Sequence, residues 1–161
     1  MVAYRGQFDH LVREADRGRA VLNTRTIAVF DDGLVVCAVP VYGDAAKPAG
    51  GLIGRMWRAG YTRGRAGAPG RGDEQIRARA AAFGSSATFA ETWSKARLIP
   101  LAIIEQIVLR RPRQVSELEI RFRAADADAE SAVFLGDLSV ERVRDVLGPL
   151  LGERLKVDIS E

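Results

Sequence analysis

The sequence has little of the chemistry that marks metal sites, disulfide scaffolds and membrane spans. It contains one cysteine, Cys37, and one histidine, His10, among 161 residues. A lone cysteine cannot form an intramolecular disulfide, and one Cys with one distant His is not a zinc-ligand set. The longest stretches free of charged residues, 33–43 and 80–90, have eleven residues each, whereas a transmembrane helix needs ~20. We therefore expect no spanning helix, no metal and no cofactor.

Recognisable catalytic motifs are also missing. No G-x-S-x-G sequence is present, and the glycines of 64–72 are not followed by the G-K-[ST] of a phosphate-binding loop. Glu117 and Glu119 lie on one face of a predicted strand, but Arg121 and Arg123 share that face, so a solvated charged surface is favoured over an acid–base pair. The sequence predicts a non-catalytic protein.

Length and composition are those of one globular domain spanning 1–161. Hydrophobic residues make up 47% of the chain and charged residues 28%, which is ordinary for a folded protein. Near the N-terminus, Asp9, Glu14 and Asp16 interrupt the apolar stretch that a secretion signal requires. We expect a cytoplasmic protein.

The net charge of +3 is unevenly distributed along the chain. Residues 1–46 carry −1, residues 47–113 carry +9 and residues 114–161 carry −5. The basic excess coincides with a glycine-rich stretch, since 43–72 contains nine glycines. Such a density of glycine breaks regular structure, so we place an insertion at 43–96 that is rich in Gly and Arg and then helical.

Periodicity predicts the elements of the first half. Phe8, Leu11, Val12 and Ala15 have helical spacing, which predicts a short amphipathic helix. An Asp-Gly pair between two apolar runs predicts a hairpin with strands at 24–30 and 34–42. Because Pro40 has no main-chain donor, the end of the second strand should lie at an edge or bulge.

Two further helices are predicted inside the insertion. The segment DEQIRARAAAF at 73–83 aligns Ile76, Ala80 and Phe83 on one face. Thr88 and Glu91 have the spacing of a capping box, which predicts a short helix at about 89–96.

The second half is predicted to be an antiparallel meander followed by a helix. Strands are expected in RLIP, IIEQIVLRR, VSELEIRFR and SAVFLG. Ser139 has the chemistry of a helix cap, and Pro149 should kink or shorten that helix after Leu147. The alternating LKVDIS predicts a last edge strand.

Three stretches carry a resemblance to a known group of domains: TRTIAVFDDGLVV at 24–36, RLIPLAIIEQIVLRR at 97–111 and SVERVRDVLGPLLGERL at 139–155. Over about two-thirds of its length, the chain resembles bacterial pleckstrin-homology-like domains, although fold alone does not fix function. The resemblance implies an α+β fold, mainly antiparallel β: a bent barrel or sandwich with a C-terminal capping helix and extra helices in an insertion. It also implies a non-enzymatic binding or assembly module that associates with itself or with membranes.

The candidate binding residues lie in the Gly/Arg-rich segment 51–72. Aromatic and apolar side chains stand there beside arginines, which suits protein interaction or self-association, an anionic membrane surface, or, as the alternative, nucleic acid. Packing of Trp57 on its own domain is the structural alternative. The proposed residues are Arg55, Met56, Trp57, Arg58, Tyr61, Arg63, Arg65 and Arg71.

Overall fold

The computed structural model describes residues 2–16, 23–40, 71–111 and 115–159. Eight strands and three α-helices lie in these ranges. In chain order they are β1 (Tyr4–Arg13), β2 (Asn23–Phe30), β3 (Gly33–Pro40), α1 (Arg71–Ala82), α2 (Ser86–Thr92), β4 (Ala96–Pro100), β5 (Ile104–Arg110), β6 (Ser116–Phe122), β7 (Glu130–Gly136), α3 (Val140–Leu151) and β8 (Leu155–Asp158).

The strands form one sheet that bends at β1. Its order is β4-β3-β2-β1-β7-β6-β5-β8, and all neighbours are antiparallel except β5 and β8, which are parallel. Most of β1 pairs with β2, whereas only Val12 and Arg13 at its end pair with β7. The strand therefore passes from a first half-sheet (β4 to β1) to a second (β7 to β8). The predicted α+β, mainly antiparallel class is confirmed.

The predicted N-terminal helix is wrong, because this segment is strand β1. Phe8 pairs with Ile27 and Leu11 pairs with Arg25, so β1 advances three residues while β2 advances two. The extra residue forms a bulge at which His10 adopts a φ of 58°. The bulge returns Leu11 to the face of Phe8, and both are buried. A bulged strand thus reproduces the three-residue spacing of a helix.

The predicted hairpin is confirmed with small shifts at its ends. Strands β2 and β3 pair without interruption from Phe30 and Gly33 at the turn to Asn23 and Pro40 at the open end. The pairing of β3 with β4 stops at Cys37, so Pro40 lies beyond its last partner on that side, as expected. Residues 41 and 42 of the predicted strand lie outside the described ranges.

The main core fills the space between the two half-sheets. Large side chains from both halves meet there, and α3 adds Val143 and Leu147, both at most 1% exposed. Ser139 caps α3 by accepting a hydrogen bond from the Arg142 amide, as predicted. The terminal helix therefore closes one end of the bent sheet.

Pro149 does not end α3 after Leu147, contrary to expectation, because the helix continues to Leu151. The proline side chain is exposed. Without an amide hydrogen at this position, a helical carbonyl loses its partner, and on the outer face of a helix water can replace it. Leu151 remains buried in the core.

A second core covers the outer face of the first half-sheet. Phe30, Val35 and Cys37 point outward from the sheet and are covered by Ile76 of α1 and Phe89 of α2. The first half-sheet is consequently apolar on both faces. The described part of the insertion acts as a lid of two helices over this sheet, and Cys37 is a buried free thiol, as predicted.

The position of α2 corrects the prediction for this segment. The helix covers Ser86–Thr92, and its cap is Ser85, whose hydroxyl accepts from the Thr88 amide 3.1 Å away. Thr88 is therefore inside the helix. The helix ends before Trp93, whose indole N–H donates to the Ala38 carbonyl at 3.0 Å.

The remaining predicted elements are confirmed. Strands β5, β6 and β7 form an antiparallel meander, and β6 alternates with Leu118, Ile120 and Phe122 buried. Helix α1 contains the predicted Ile76 and Ala80 on its buried face. Strand β8 lies at an edge of the sheet, next to β5.

Candidate functional site

A cavity of about 620 Å³ opens between the half-sheets at the end where β1 leaves β7. After Arg13 the chain turns into a short 3-10 helix, Glu14–Asp16, and the space beside the first half of β7 is left open. Val36, Ile99 and Phe134 form its apolar floor. The volume falls within the ~300–1,000 Å³ typical of ligand sites. We call this cavity the basic cleft, after the arginine and lysine side chains that line it.

The inner face of the first half-sheet changes from apolar to basic as it enters the cleft. On β2, Arg25 shares the inward face with Ile27, because successive side chains of a strand alternate. Arg25 pairs in register with Ala38 of β3, and the Ala38 amide donates to the carbonyl of Lys95. Two residues before Ala38 on β3, Val36 pairs with Arg97 of β4. The strand registers thus bring Arg25, Lys95 and Arg97 to one face.

Arg97 connects the two half-sheets across the cleft. Its Nη2 donates to Glu130 Oε2 at 2.7 Å, and its guanidinium carbon lies 4.9 Å from the centroid of the Phe122 ring. The ion pair is exposed, so it contributes little to stability. It does hold the guanidinium at the mouth of the cleft.

Arg25 has an unused hydrogen-bond donor. Its side chain is 19% exposed, and its Nη2 lies 3.7 Å from Asp16 Oδ2. Its Nη1 is shielded from solvent and has no hydrogen-bond partner in the described part of the chain. Buried donors normally find a partner.

The charges around the cleft favour an anionic ligand. Four basic side chains line it, against one acidic side chain, Glu14: the basic residues are Arg13, Arg25, Lys95 and Arg97. Asp16 contacts Arg13 and Arg25, and Glu130 contacts Arg97. Lys95 makes no ion pair within the described ranges. It stands where the chain, with a φ of 58°, turns from α2 into β4.

A buried polar cluster lies on the other side of the first half-sheet, under α1. Asp73 is 1% exposed and accepts a 2.6 Å hydrogen bond from Thr26 Oγ1. His10 Nε2 lies 3.3 Å from Asp73 Oδ2, and Gln7 Nε2 donates to the Asp73 carbonyl. Burial, and then the charge of Asp73, raise the pKa of the neighbouring Asp9. These contacts attach the insertion to the sheet.

Glu119 belongs to an ion-pair network on the outer face of the second half-sheet. Hydrogen bonds from Arg121 and, more weakly, from Arg110 and Ser131 lower the pKa of Glu119 to about 2, against the opposing effect of its desolvation. A carboxyl with this pKa is ionised near neutral pH and cannot act as a general acid there. The contacts agree with the predicted charged face, but Glu119 itself is only 12% exposed rather than solvated.

Most of the binding residues predicted from the sequence lie outside the described ranges. This applies to Arg55, Met56, Trp57, Arg58, Tyr61, Arg63 and Arg65. Arg71 begins α1. The prediction did not include Arg25, Lys95 and Arg97, which come from two segments far apart in the chain, β2 and the start of β4. The sequence contains one sign of this site. Arg25 precedes Ile27 and Val29 by two and four residues, so a strand places this charged side chain on the same face as two apolar ones.

Among the described residues there is neither a metal-binding cluster nor a membrane-spanning helix. No group of three or more His, Cys, Asp or Glu side chains in these ranges is arranged to hold a metal ion. No helix in the same ranges is both long and apolar enough to cross a bilayer.

Comparisons with protein-family models and with characterised proteins give no match. Among solved structures, the chain is similar to one in the Spt16D Pob3N heterodimer, at 10% identity and a TM-score of 0.45, covering 100% of this chain and 56% of that one. It is also similar to the hSac2 domain from human phosphoinositide phosphatase Sac2, at 8% identity and a TM-score of 0.47, covering 99% and 78% of the two chains. The chain spans just over half the length of the first.

Proposed function

We propose that this chain is a non-catalytic binding module of pleckstrin-homology-like fold, and that it binds an acidic segment of a partner protein in the basic cleft. The observation that carries the proposal is the convergence of Arg25, Lys95 and Arg97 on the inner sheet face above an apolar floor. An acidic peptide supplies carboxylates for the basic side chains. Arginine in particular pairs well with carboxylates because its N–H groups form a planar fork.

The proposal is tested with a fluorescein-labelled peptide of eight alternating Glu and Val residues and a Lys/Val peptide of the same length. We expect fluorescence anisotropy to show binding of the acidic peptide only, weakening as salt is added. Lys95→Glu should reduce its affinity about tenfold or more, since the substitution replaces attraction by repulsion.

Arg144→Glu is the matched control. Arg144 is exposed on α3 and is not among the residues that line the cleft, so the same change of charge there should leave affinity within about twofold. Equal loss in both variants, or no binding of the acidic peptide, would contradict the proposal. Circular dichroism of each variant checks that the fold is kept.

The segment 51–72 supports a separate proposal of self-association or attachment to an anionic membrane surface, with nucleic acid as the alternative. Its support is the mixture of aromatic residues and arginines in the sequence. Deletion of 51–72 should abolish co-sedimentation with anionic vesicles and leave neutral vesicles unbound. Retained sedimentation argues against the membrane role, light scattering tests self-association, and a labelled single-stranded RNA tests the alternative.

A further inference from the structure

Among the described residues, the first half of β7 has no strand on the side that borders the basic cleft, and we call this side its free edge. β7 pairs with β6 along its whole length, from Glu130 to Gly136. On its other side, pairing with β1 is confined to Leu135 and Phe134. Within the described ranges, residues 130–133 therefore have no strand partner on that side.

This edge arises because β1 ends early. After pairing with Phe134, the β1 chain leaves the strand conformation and forms the 3-10 helix at Glu14–Asp16, which stays near β7 without pairing with it. The cleft lies where a longer β1 would continue beside β7. Ser131, Ala132 and Val133 of β7 are all in contact with this cleft. Ala132 and Val133 point to opposite faces of a strand, so their joint presence in the lining indicates that the main-chain edge itself borders the cavity.

We infer that the acidic partner segment binds as an added β-strand along residues 130–133 of β7, continuing the line of β1. The inference rests on the proposed function and specifies how the ligand is held. Main-chain groups of an extended peptide would pair with the free edge, as in other cases of strand addition. Alternate side chains would then point toward the inner face, where Arg25, Lys95 and Arg97 lie.

The charge pattern selects an extended acidic segment over an apolar one. A strand in this position presents every second side chain to the face that carries Arg25, Lys95 and Arg97. Carboxylates at alternate positions complement these basic side chains. The intervening side chains would face the other way, so the recognised pattern is an alternation of acidic residues with neutral ones.

The test uses two isomers of the Glu/Val octapeptide that differ only in which main-chain nitrogens are methylated. One isomer is methylated at the four Glu residues and the other at the four Val residues, so charge and composition are identical. In a strand, alternate N–H groups point to the same side. Pairing along one edge predicts that one isomer loses about tenfold or more in affinity, while the other stays within about threefold of the unmethylated peptide.

Hydrogen exchange provides an independent measurement on the protein. Amides within 130–133 should gain protection when the unmethylated peptide is bound, and amides at the centre of β6 should not change. If both isomers bind as well as the parent peptide, or both weaken equally, strand addition is wrong. Binding that still depends on Lys95 would in that case leave the proposed function intact, whereas failure of the parent peptide to bind would remove both.

Discussion

Thr26 and Asp73 join the centre of the sheet to the insertion through a buried 2.6 Å hydrogen bond. Thr26 lies on the outer face of β2, and Asp73 lies in the first turn of α1, 47 residues later. His10, at the bulge of β1, faces the second carboxylate oxygen of Asp73. One acidic side chain therefore fixes α1 against two strands. A carboxylate near a helix N-terminus is also favoured by the helix dipole.

Replacing Asp73 by alanine should destabilise the protein by about 1–3 kcal/mol, because buried donors on neighbouring groups would lose their acceptor. The measurement is urea unfolding followed by circular dichroism. Glu74→Ala is the control, since Glu74 is the adjacent acidic residue of α1 and is exposed. Equal destabilisation by the two substitutions would show that the buried contacts of Asp73 contribute no more to the free energy of unfolding than an exposed carboxylate does.

The regular strands were predictable from sequence, whereas the strand with a bulge was not. β6 alternates without interruption and pairs in simple register with β7, so its period of two is preserved in the sequence. β1 contains two register shifts, near Gly6 and near His10. Each shift changes the phase of the pattern, and the combined spacing of Phe8 and Leu11 matches a helix. Periodicity cannot distinguish these cases without knowledge of the strand partners.

The basic cleft was hidden for a different physical reason. Residues 27–30 of β2 and 34–39 of β3 are apolar on both faces of the sheet, and α1 and α2 cover the outer face. Alternation therefore does not identify which face of β2 points inward. Arg25 becomes informative only when the inner face is known, and Lys95 and Arg97 join it through the pairing of β3 with β4 across a long insertion.

Replacement of two glycines by alanine should change the stability of the protein in opposite directions. A Cβ at Gly33 would lie 2.9 Å from the Ile99 carbonyl oxygen and 3.2 Å from Pro100 Cα, so the β3–β4 main chain must move. We expect Gly33→Ala to cost about 1–3 kcal/mol. At Gly148, on α3, a Cβ meets no atom within 4 Å, and Gly148→Ala should stabilise by about 0.5–1 kcal/mol. Thermal unfolding of both variants tests the pair, and a shift of the same sign in both would contradict it.

The ion-pair network of Glu119 should make stability depend on pH in acid. Its pKa is lowered from 4.5 to about 2 by hydrogen bonding, first to Arg121. A carboxyl with a lowered folded-state pKa stabilises the protein above its unfolded pKa, and this contribution is lost as pH falls from about 4.5 toward 2. Glu119→Gln should therefore cost about 1 kcal/mol near neutral pH and nothing near the acid end.

Glu105→Gln is the matched control for this effect. Glu105 also pairs with an arginine, Arg123, at 2.9 Å, but both side chains are about half exposed. Such pairs contribute little, so the substitution should change stability by less than about 0.5 kcal/mol at any pH. The measurement is urea unfolding of the three proteins across the acid range. A difference between the parent protein and Glu119→Gln that does not shrink with falling pH would show that the network contributes through something other than the charge of Glu119.

The thiol of Cys37 should report unfolding of the first half-sheet. Cys37 is completely buried between the sheet and the insertion helices, and burial raises its pKa to about 12. Alkylation requires an accessible thiolate, so iodoacetamide near pH ~8 should modify the native protein only when the first half-sheet opens.

When opening and closing are fast relative to alkylation, the labelling rate follows the population of the open form. Gly33→Ala, which perturbs the β3–β4 pairing directly, should then accelerate labelling by the factor by which it raises the unfolding equilibrium constant, and Gly148→Ala should slow it. Rapid labelling of the folded protein at a rate unaffected by either substitution would show that the thiol is reached without disrupting the second core.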